Sequence, residues 1–230
     1  MRAIIEHVFA SQSLGQQVVE WQPSLFGLDD PSVDRTYAGL VRHQLDEHSW
    51  VDLVPRWLAG ADQLFAELVA WVPWRQRVVP MYGRMLDEPR LTWWWAQELG
   101  QPVPLAVLDD ARLALSARYA RAFDAIGANF YRAGRDSVAW HGDRVGEHVP
   151  DPVVAILSVG APRPFLLRPV GGGPSTSFLL GQGDLLVMGG AAQQGWQHAV
   201  PKVAAAGPRI SIVYRHDSAE PAAQYRTEGR

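Results

Sequence analysis

The chain of 230 residues contains no cysteine. That absence removes disulfides, thiolate zinc sites, thiol nucleophiles and cysteine-held iron–sulfur clusters, so any metal must sit on His and carboxylates. No run of about 18 apolar residues occurs, which leaves a membrane span without support. The N-terminus carries Arg2 and Glu6 with no signal-type apolar segment behind them, so secretion is not expected and the cytoplasm is the expected address. A strong excess of one charge is also missing. The formal net charge is −3 and the pI about 6.1. Whole-chain electrostatics therefore do not announce a nucleic-acid binder, although a local basic patch can still act as one. Internal repeats and a domain linker are absent as well. Hydrophobic residues, by contrast, make up 47% of the chain and charged residues 20%. That is ample material for one compact domain over residues 1–230.

The first sixty residues hold short apolar runs broken by Pro23, Pro31 and Pro55, which read as short strands and loops. Between Ala61 and Val72, Leu64, Phe65, Leu68, Val69 and Val72 recur at helical spacing, and Pro73 ends the helix. A second helix is expected from about Asp109 to Ile126, with Ala111, Leu115, Tyr119, Ala122 and Ile126 on one face and Gly127 after its end. Beyond Gly127 the pattern changes to short apolar runs bounded by Gly, Pro and Asp. Strands are expected at 153–159, 165–168, 177–180, 184–188 and 209–215, a series that suggests a sandwich or jelly roll. The domain thus divides into an N-terminal helical and lid portion (1–127), a β core (128–216) and a polar tail (217–230). Gly171–Gly173 reads as a hairpin loop.

Seven histidines are present, and the informative one is His141, followed by Asp143 in Trp140-His141-Gly142-Asp143. On an extended strand residues i and i+2 face the same way, so one imidazole nitrogen and one carboxylate oxygen reach a single ion. A second His is needed to complete a facial set, and His198 is the candidate. Two His and one carboxylate leave three positions open for a chelating cosubstrate and dioxygen at Fe(II). His-x-Asp by itself also occurs on ordinary surface or core histidines. Two arginines change the reading: Arg209 and Arg215 bracket an apolar strand, and their even separation puts both on one face. Inward guanidinium groups need anions, and a dicarboxylate such as 2-oxoglutarate supplies them by chelating iron at one end and meeting an Arg fork at the other.

These elements resemble the AlkB-type branch of the Fe(II)/2-oxoglutarate dioxygenases. The resemblance rests on Val72-Pro73-Trp74, Pro89-Arg90-Leu91-Thr92, Asn129-Phe130-Tyr131, His141-Gly142-Asp143, His198-Ala199-Val200-Pro201-Lys202 and Arg209 to Arg215, in the family's order over roughly residues 60 to 215. It implies an α+β fold with a double-stranded β-helix (jelly roll) core and N-terminal helices packed on one side. It also implies that His141, Asp143 and His198 bind Fe(II) and that Arg209 holds the distal carboxylate of 2-oxoglutarate. Arg215 would lie near the metal-bound end, and Asn129 and Tyr131 would hydrogen-bond the cosubstrate, with dioxygen as oxidant. The implied activity is oxidative demethylation of N-alkylated bases, a DNA-repair dealkylation, with alkylated DNA or RNA as partner and no obligate protein partner. Two departures stand out: Arg144-Val145-Gly146 follows the HxD motif where repair enzymes often carry acids, and Ser211 replaces the family's Asn in the Arg-x5-Arg strand.

Residues 74–95 mix four arginines with aromatics, a composition suited to phosphates and stacked bases, and look like the family's nucleotide-recognition lid. Arg84 and Arg90 are the phosphate candidates, and Tyr82, Trp93 and Trp95 the pocket candidates. Three consecutive tryptophans cannot all face one pocket, and core packing is the competing reading. Arg163 is a candidate loop contact near the metal. Asp46-Glu47-His48 reads as a solvated turn. The acidic pI and Val145 leave open the same chemistry on RNA, protein or a small molecule, and a non-catalytic jelly-roll binding module is the alternative of a different class.

Overall fold

The computed structural model describes residues 29–216 apart from 82, 144–148 and 150. Tyr82 and the post-HxD residues Arg144, Val145 and Gly146 therefore lie outside the described residues. In chain order the elements begin with β1 (Ser32–Val33), β2 (Val41–Gln44), β3 (Ser49–Val54), β4 (Leu58–Ala59) and α1 (Ala61–Trp71). Next come β5 (Val78–Met81), β6 (Arg84–Asp87), β7 (Leu91–Ala96), α2 (Ala106–Tyr119), β8 (Phe123–Tyr131) and β9 (Val138–His141). The rest are β10 (Val154–Gly160), β11 (Arg163–Pro169), β12 (Thr176–Leu180), β13 (Asp184–Gly190), a single turn α3 (Ala192–Gly195), β14 (Trp196–Val200) and β15 (Arg209–His216). None of the described helices is long and apolar enough to cross a membrane.

Two antiparallel sheets face one another. The larger runs β2-β3-β13-β10-β15-β8-β7, the smaller β12-β11-β14-β9, and β5-β6 form a separate hairpin. The period-2 alternation of side chains assigns the faces. On the larger sheet, Ile126, Ala128, Phe130, Ala155, Leu157, Ile210 and Ile212 share one core with Leu64, Phe65 and Leu68 of α1 and Leu108, Ala111 and Leu115 of α2. The alternate residues Tyr131, Val154, Ile156, Leu186, Met188 and Val213 share the other core with Phe165, Leu167, Phe178 and Leu180 of the smaller sheet. This explains why β10 is buried along its whole length: it is covered on both faces, by helices and by the second sheet. The result is a jelly-roll core with helices on one side.

The expected second helix is corrected. It ends at Tyr119, Ala120 takes a left-handed conformation (φ 52°, ψ 41°), and Phe123–Tyr131 is a strand between β15 and β7. The three- and four-residue spacing of Tyr119, Ala122 and Ile126 was coincidental. A central strand hydrogen-bonded on both edges outweighs the weak helical propensity of that stretch. Residue 127 likewise does not separate helices from sheet, since β2, β3, β7 and the start of β8 all join the larger sheet. The turn at Asp46–His48 closes on itself, Asp46 Oδ1 accepting the His48 N–H at 2.8 Å. Asp46 Oδ2 accepts Trp196 Nε1–H at 2.6 Å.

Candidate active site

A cavity of about 530 Å³ opens between the inner faces of the two sheets, a size typical of small-molecule sites. His141 and His198 meet there because they are direct cross-strand partners in the β9–β14 pair, where facing side chains approach closely. Their ring centroids are 4.2 Å apart. Asp143 follows two residues after His141, just past the end of β9, and its Oδ2 lies 3.6 Å from His198 Nε2. One ligand atom from each of the three residues falls within 4.8 Å of the others.

The set is tuned for a cation. His141 Nδ1 lies 2.9 Å from the carbonyl oxygen of Ala139. A carbonyl only accepts, so the proton sits on Nδ1 and the Nε2 lone pair is left for a metal. Burial pushes the His198 pKa down to about 4, against the pull of Asp143, and Phe165 stacks on the ring with a centroid distance of 5.2 Å. A neutral imidazole is the form that ligates. Burial would push the Asp143 carboxyl up, but Arg215, His198 and His141 together hold it well below the usual carboxylate range. Arg215 Nη2 donates to Asp143 Oδ1 at 2.6 Å, which leaves Oδ2 buried with no hydrogen-bond partner among the described residues. An orphaned buried carboxylate oxygen beside two imidazoles is what a divalent metal would satisfy.

A second cradle lies beside the first. Arg209 is fully buried, donates from Nη2 to Ser158 Oγ at 2.6 Å, and sits with its guanidinium carbon 5.5 Å from the Tyr131 ring centroid. Its Nε and Nη1 are buried with no partner among the described residues. Burial lowers its pKa to about 10, which still leaves it charged at neutral pH. A buried guanidinium with two idle donors calls for a carboxylate. Asn129, Tyr131 and Ser211 line the cavity with His141, Asp143 and His198, and Tyr131 is the wall residue on which Arg209 sits. Burial pushes the Tyr131 phenol up, against the opposing effect of Arg209, Arg90 and Arg163.

The residues expected to touch substrate divide. Arg84 is exposed on β6. Arg90 lines the cavity, yet its guanidinium is engaged, donating from Nε to Asn129 Oδ1 at 3.0 Å and from Nη2 to Glu88 Oε1 at 3.3 Å. It is a wall residue rather than an outward phosphate contact. Trp93 packs against the helix-side core. Trp95 is buried in that core and donates to the Gln101 carbonyl at 2.9 Å. Among the described residues the tryptophan that lines the cavity is Trp94, and the Arg215 guanidinium stands 5.7 Å from its ring centroid. Trp94 pairs with Gly127 across β7 and β8. A Cβ at Gly127 would lie 3.1 Å from Trp94 Cε3 and 3.2 Å from Arg215 Nη1, so the glycine lets ring and guanidinium press against the strand. Strand parity, set by Asn129 and Tyr131 on the neighbouring strand, was the signal that could have found Trp94.

Arg163 is no loop contact. It is fully buried at the start of β11. It donates to the carbonyls of Ala133 (3.1 Å), Asp136 (2.9 Å) and Pro201 (2.8 Å), with a longer contact to Gly134 (3.4 Å). It ties the β8–β9 loop to the segment leaving β14, and so braces the two strands that carry His141 and His198.

Comparison with known proteins agrees with this geometry. The pattern of the 2OG-Fe(II) oxygenase superfamily matches residues 53–215. Alpha-ketoglutarate-dependent dioxygenase alkB homolog 3 of Mus musculus is 34% identical over 177 residues, covering 69% of this chain and 62% of that protein. The Homo sapiens protein of the same name is 32% identical over 174 residues, covering 67% and 61%. DNA oxidative demethylase ALKBH2 of Arabidopsis thaliana is 29% identical over 182 residues, covering 63% and 58%. The chain thus spans about three-fifths of the length of these relatives. The structure of OsALKBH1 superposes with a TM-score of 0.53 at 17% identity, over 76% of this chain and 100% of that one. A prolyl hydroxylase from Trichoplax adhaerens gives 0.53 at 10% identity, over 75% and 86%. The two solved structures share the fold, and the sequence matches carry the kinship: the chain belongs to the 2OG-Fe(II) oxygenase superfamily and, within it, to the AlkB-type dioxygenases, a class that works with Fe(II), 2-oxoglutarate and dioxygen.

Proposed function

We propose that the protein oxidatively removes N-alkyl groups from bases in nucleic acid. In this reading His141, Asp143 and His198 hold Fe(II), Arg209 pairs with the distal carboxylate of 2-oxoglutarate, and Asn129 and Tyr131 hydrogen-bond it. When bound, iron with 2-oxoglutarate and dioxygen supplies the oxidant that hydroxylates an N-methyl carbon; the unstable product then releases formaldehyde and the bare base. The protein's own part is positional. Arg215 holds Asp143 through Oδ1 and keeps it ionised, the Ala139 carbonyl fixes the His141 tautomer, and Ile156, Phe165 and Val213 give the cavity apolar wall around them.

The observation that carries the reading is a pair of unsatisfied groups: a carboxylate oxygen beside two imidazoles in the cavity wall, and the buried Arg209 guanidinium, packed on the wall residue Tyr131, with Nε and Nη1 unpartnered among the described residues. Support for a nucleic-acid substrate is that Arg77 and Trp94 line the cavity and that the β5–β6 hairpin carries exposed Arg84, Met85 and Leu86. The names of the relatives, alkB homolog 3 and DNA oxidative demethylase, point the same way. The test is formaldehyde release from oligonucleotides bearing 1-methyladenine or 3-methylcytosine, with iron and 2-oxoglutarate supplied. Release that is lost in His198→Ala supports the reading. Succinate formation with no formaldehyde from any oligonucleotide would move the same iron chemistry to another substrate class.

A further inference from the structure

Among the described residues, the cavity wall holds two acidic side chains. Asp143 belongs to the metal set. The other is Glu88, on the short link between β6 and β7, and the function proposed above leaves it unused. It is 9% exposed. Its Oε1 accepts from Arg90 at 3.3 Å, while Oε2 is buried with no hydrogen-bond partner among the described residues. The backbone around it is pinned: its N–H donates to the Arg77 carbonyl at 2.7 Å, its carbonyl accepts the Arg90 N–H at 2.8 Å, and the same carbonyl accepts Gln76 Nε2–H at 3.0 Å. The carboxylate is therefore held in place with one acceptor idle, and its terminal torsion is soft enough to turn that oxygen toward a ligand.

We propose that Glu88 is the specificity-determining acceptor of the cavity, taking a hydrogen bond from the exocyclic amino group of the base presented to the iron site. The inference rests on the nucleic-acid reading. An ionised carboxylate only accepts, whereas the three arginines that line the cavity, Arg77, Arg90 and Arg215, only donate. Glu88 is thus the group that distinguishes a ligand offering N–H from one offering C=O at the same place. Methylation of a cytosine or adenine ring nitrogen also leaves positive charge on the base beside its amino group, which a carboxylate favours. The chain carries Arg144 directly after its HxD motif, and Glu88 is the acidic wall residue outside the metal set among the described residues.

The experiment compares oligonucleotides containing 3-methylcytosine, which offers an amino group, with 3-methylthymine, which offers a carbonyl there. Parent, Glu88→Ala and Glu88→Gln are assayed for kcat/KM by formaldehyde release. Oligonucleotide affinity is measured in parallel on protein loaded with Mn(II) and 2-oxoglutarate. Losing a charge-assisted hydrogen bond corresponds to roughly tenfold to hundredfold. Glu88→Ala is expected to lower both kcat/KM and affinity by that factor for 3-methylcytosine and by less than about twofold for 3-methylthymine. Glu88→Gln, which keeps a carbonyl acceptor, is expected to fall between. Equal losses on the two bases would overturn the proposal. So would a raised KM for 2-oxoglutarate as the main defect, since Glu88 would then be acting through Arg90 and Asn129 on the cosubstrate. If the parent releases formaldehyde from neither oligonucleotide, the nucleic-acid reading falls and takes this proposal with it.

Discussion

At the scale of single residues, two arginines separate anchoring from bracing. Arg209 offers its idle Nε and Nη1 as a planar fork, which a lysine ammonium does not reproduce. Arg209→Lys should raise the 2-oxoglutarate concentration needed for half-maximal succinate formation at least tenfold while shifting the iron requirement far less; superimposable 2-oxoglutarate titrations of mutant and parent would refute the anchor. Arg163 predicts the opposite phenotype. Replacing it with Met removes the donor from the Ala133, Asp136 and Pro201 carbonyls. The Ala133 carbonyl keeps the Asp136 N–H at 3.0 Å, whereas the Asp136 and Pro201 carbonyls lose their donor; at about 1–3 kcal/mol for each buried group left unsatisfied, the urea-unfolding free energy should fall by roughly 2 kcal/mol or more. Unchanged stability with impaired oligonucleotide turnover would restore Arg163 as a substrate contact.

At the scale of elements, β7 and the β5–β6 hairpin make distinct predictions. Trp95 lies in the helix-side core and Trp94 in the cavity wall. Trp95→Ala should cost about 3–5 kcal/mol of stability, as large-to-small changes in cores do. Trp94→Ala should cost less than about 2 kcal/mol and chiefly weaken substrate and cosubstrate handling, because Arg215 loses the ring it packs on. Denaturant titration beside steady-state kinetics tests the pair, and the reverse pattern would mean the strand faces are misassigned. The hairpin carries Arg84 outward. If it meets a phosphate, Arg84→Gln should reduce the slope of log affinity against log salt by roughly one counterion, whereas Arg90→Gln should act mainly through Asn129 on 2-oxoglutarate. Identical salt slopes for Arg84→Gln and parent would remove Arg84 from the interface.

At the scale of the whole molecule, the ionisable groups at the metal site link stability to acid. In the metal-free protein His198 has its pKa lowered from 6.5 to about 4. Between those values the unfolded chain takes up a proton that the folded imidazole refuses, so stability falls as pH falls from about 6.5 to 4. Asp143, also lowered, contributes stability present above its unfolded value of 3.8 and lost as pH drops further. Each tenfold difference in proton affinity between the folded and unfolded chain corresponds to about 1.4 kcal/mol. The urea midpoint of the apo protein should therefore decline steadily over pH 6.5 to 4, and His198→Gln should flatten that window specifically. A parent midpoint that stays level across it would show that His198 titrates normally.

Features legible in one dimension are local in character. The helix at 61–71 was legible from apolar spacing, and the strands at 154–160, 163–169, 176–180, 184–190 and 209–216 from short apolar runs between turn residues. His141-Gly142-Asp143, His198 and the two arginines could be singled out as candidates because coordination and charge pairing favour particular residue types at particular spacings. Tertiary structure decided the rest. Phe123–Tyr131 became a strand only because β15 and β7 flank it. Which of three adjacent tryptophans enters the cavity depended on the register of β7 against β8, since a shift of one residue reverses every side chain. Arg163 and Arg90 read as free cations in one dimension. The carbonyls of Ala133, Asp136 and Pro201 that meet Arg163 and the Asn129 side chain that meets Arg90 lie 27 to 39 residues away, while Glu88, two residues back, also meets Arg90. Glu88 had no sequence signature at all, because an idle acceptor is defined by what the folded chain places around it, and hydrogen-bond satisfaction is a property of three-dimensional packing.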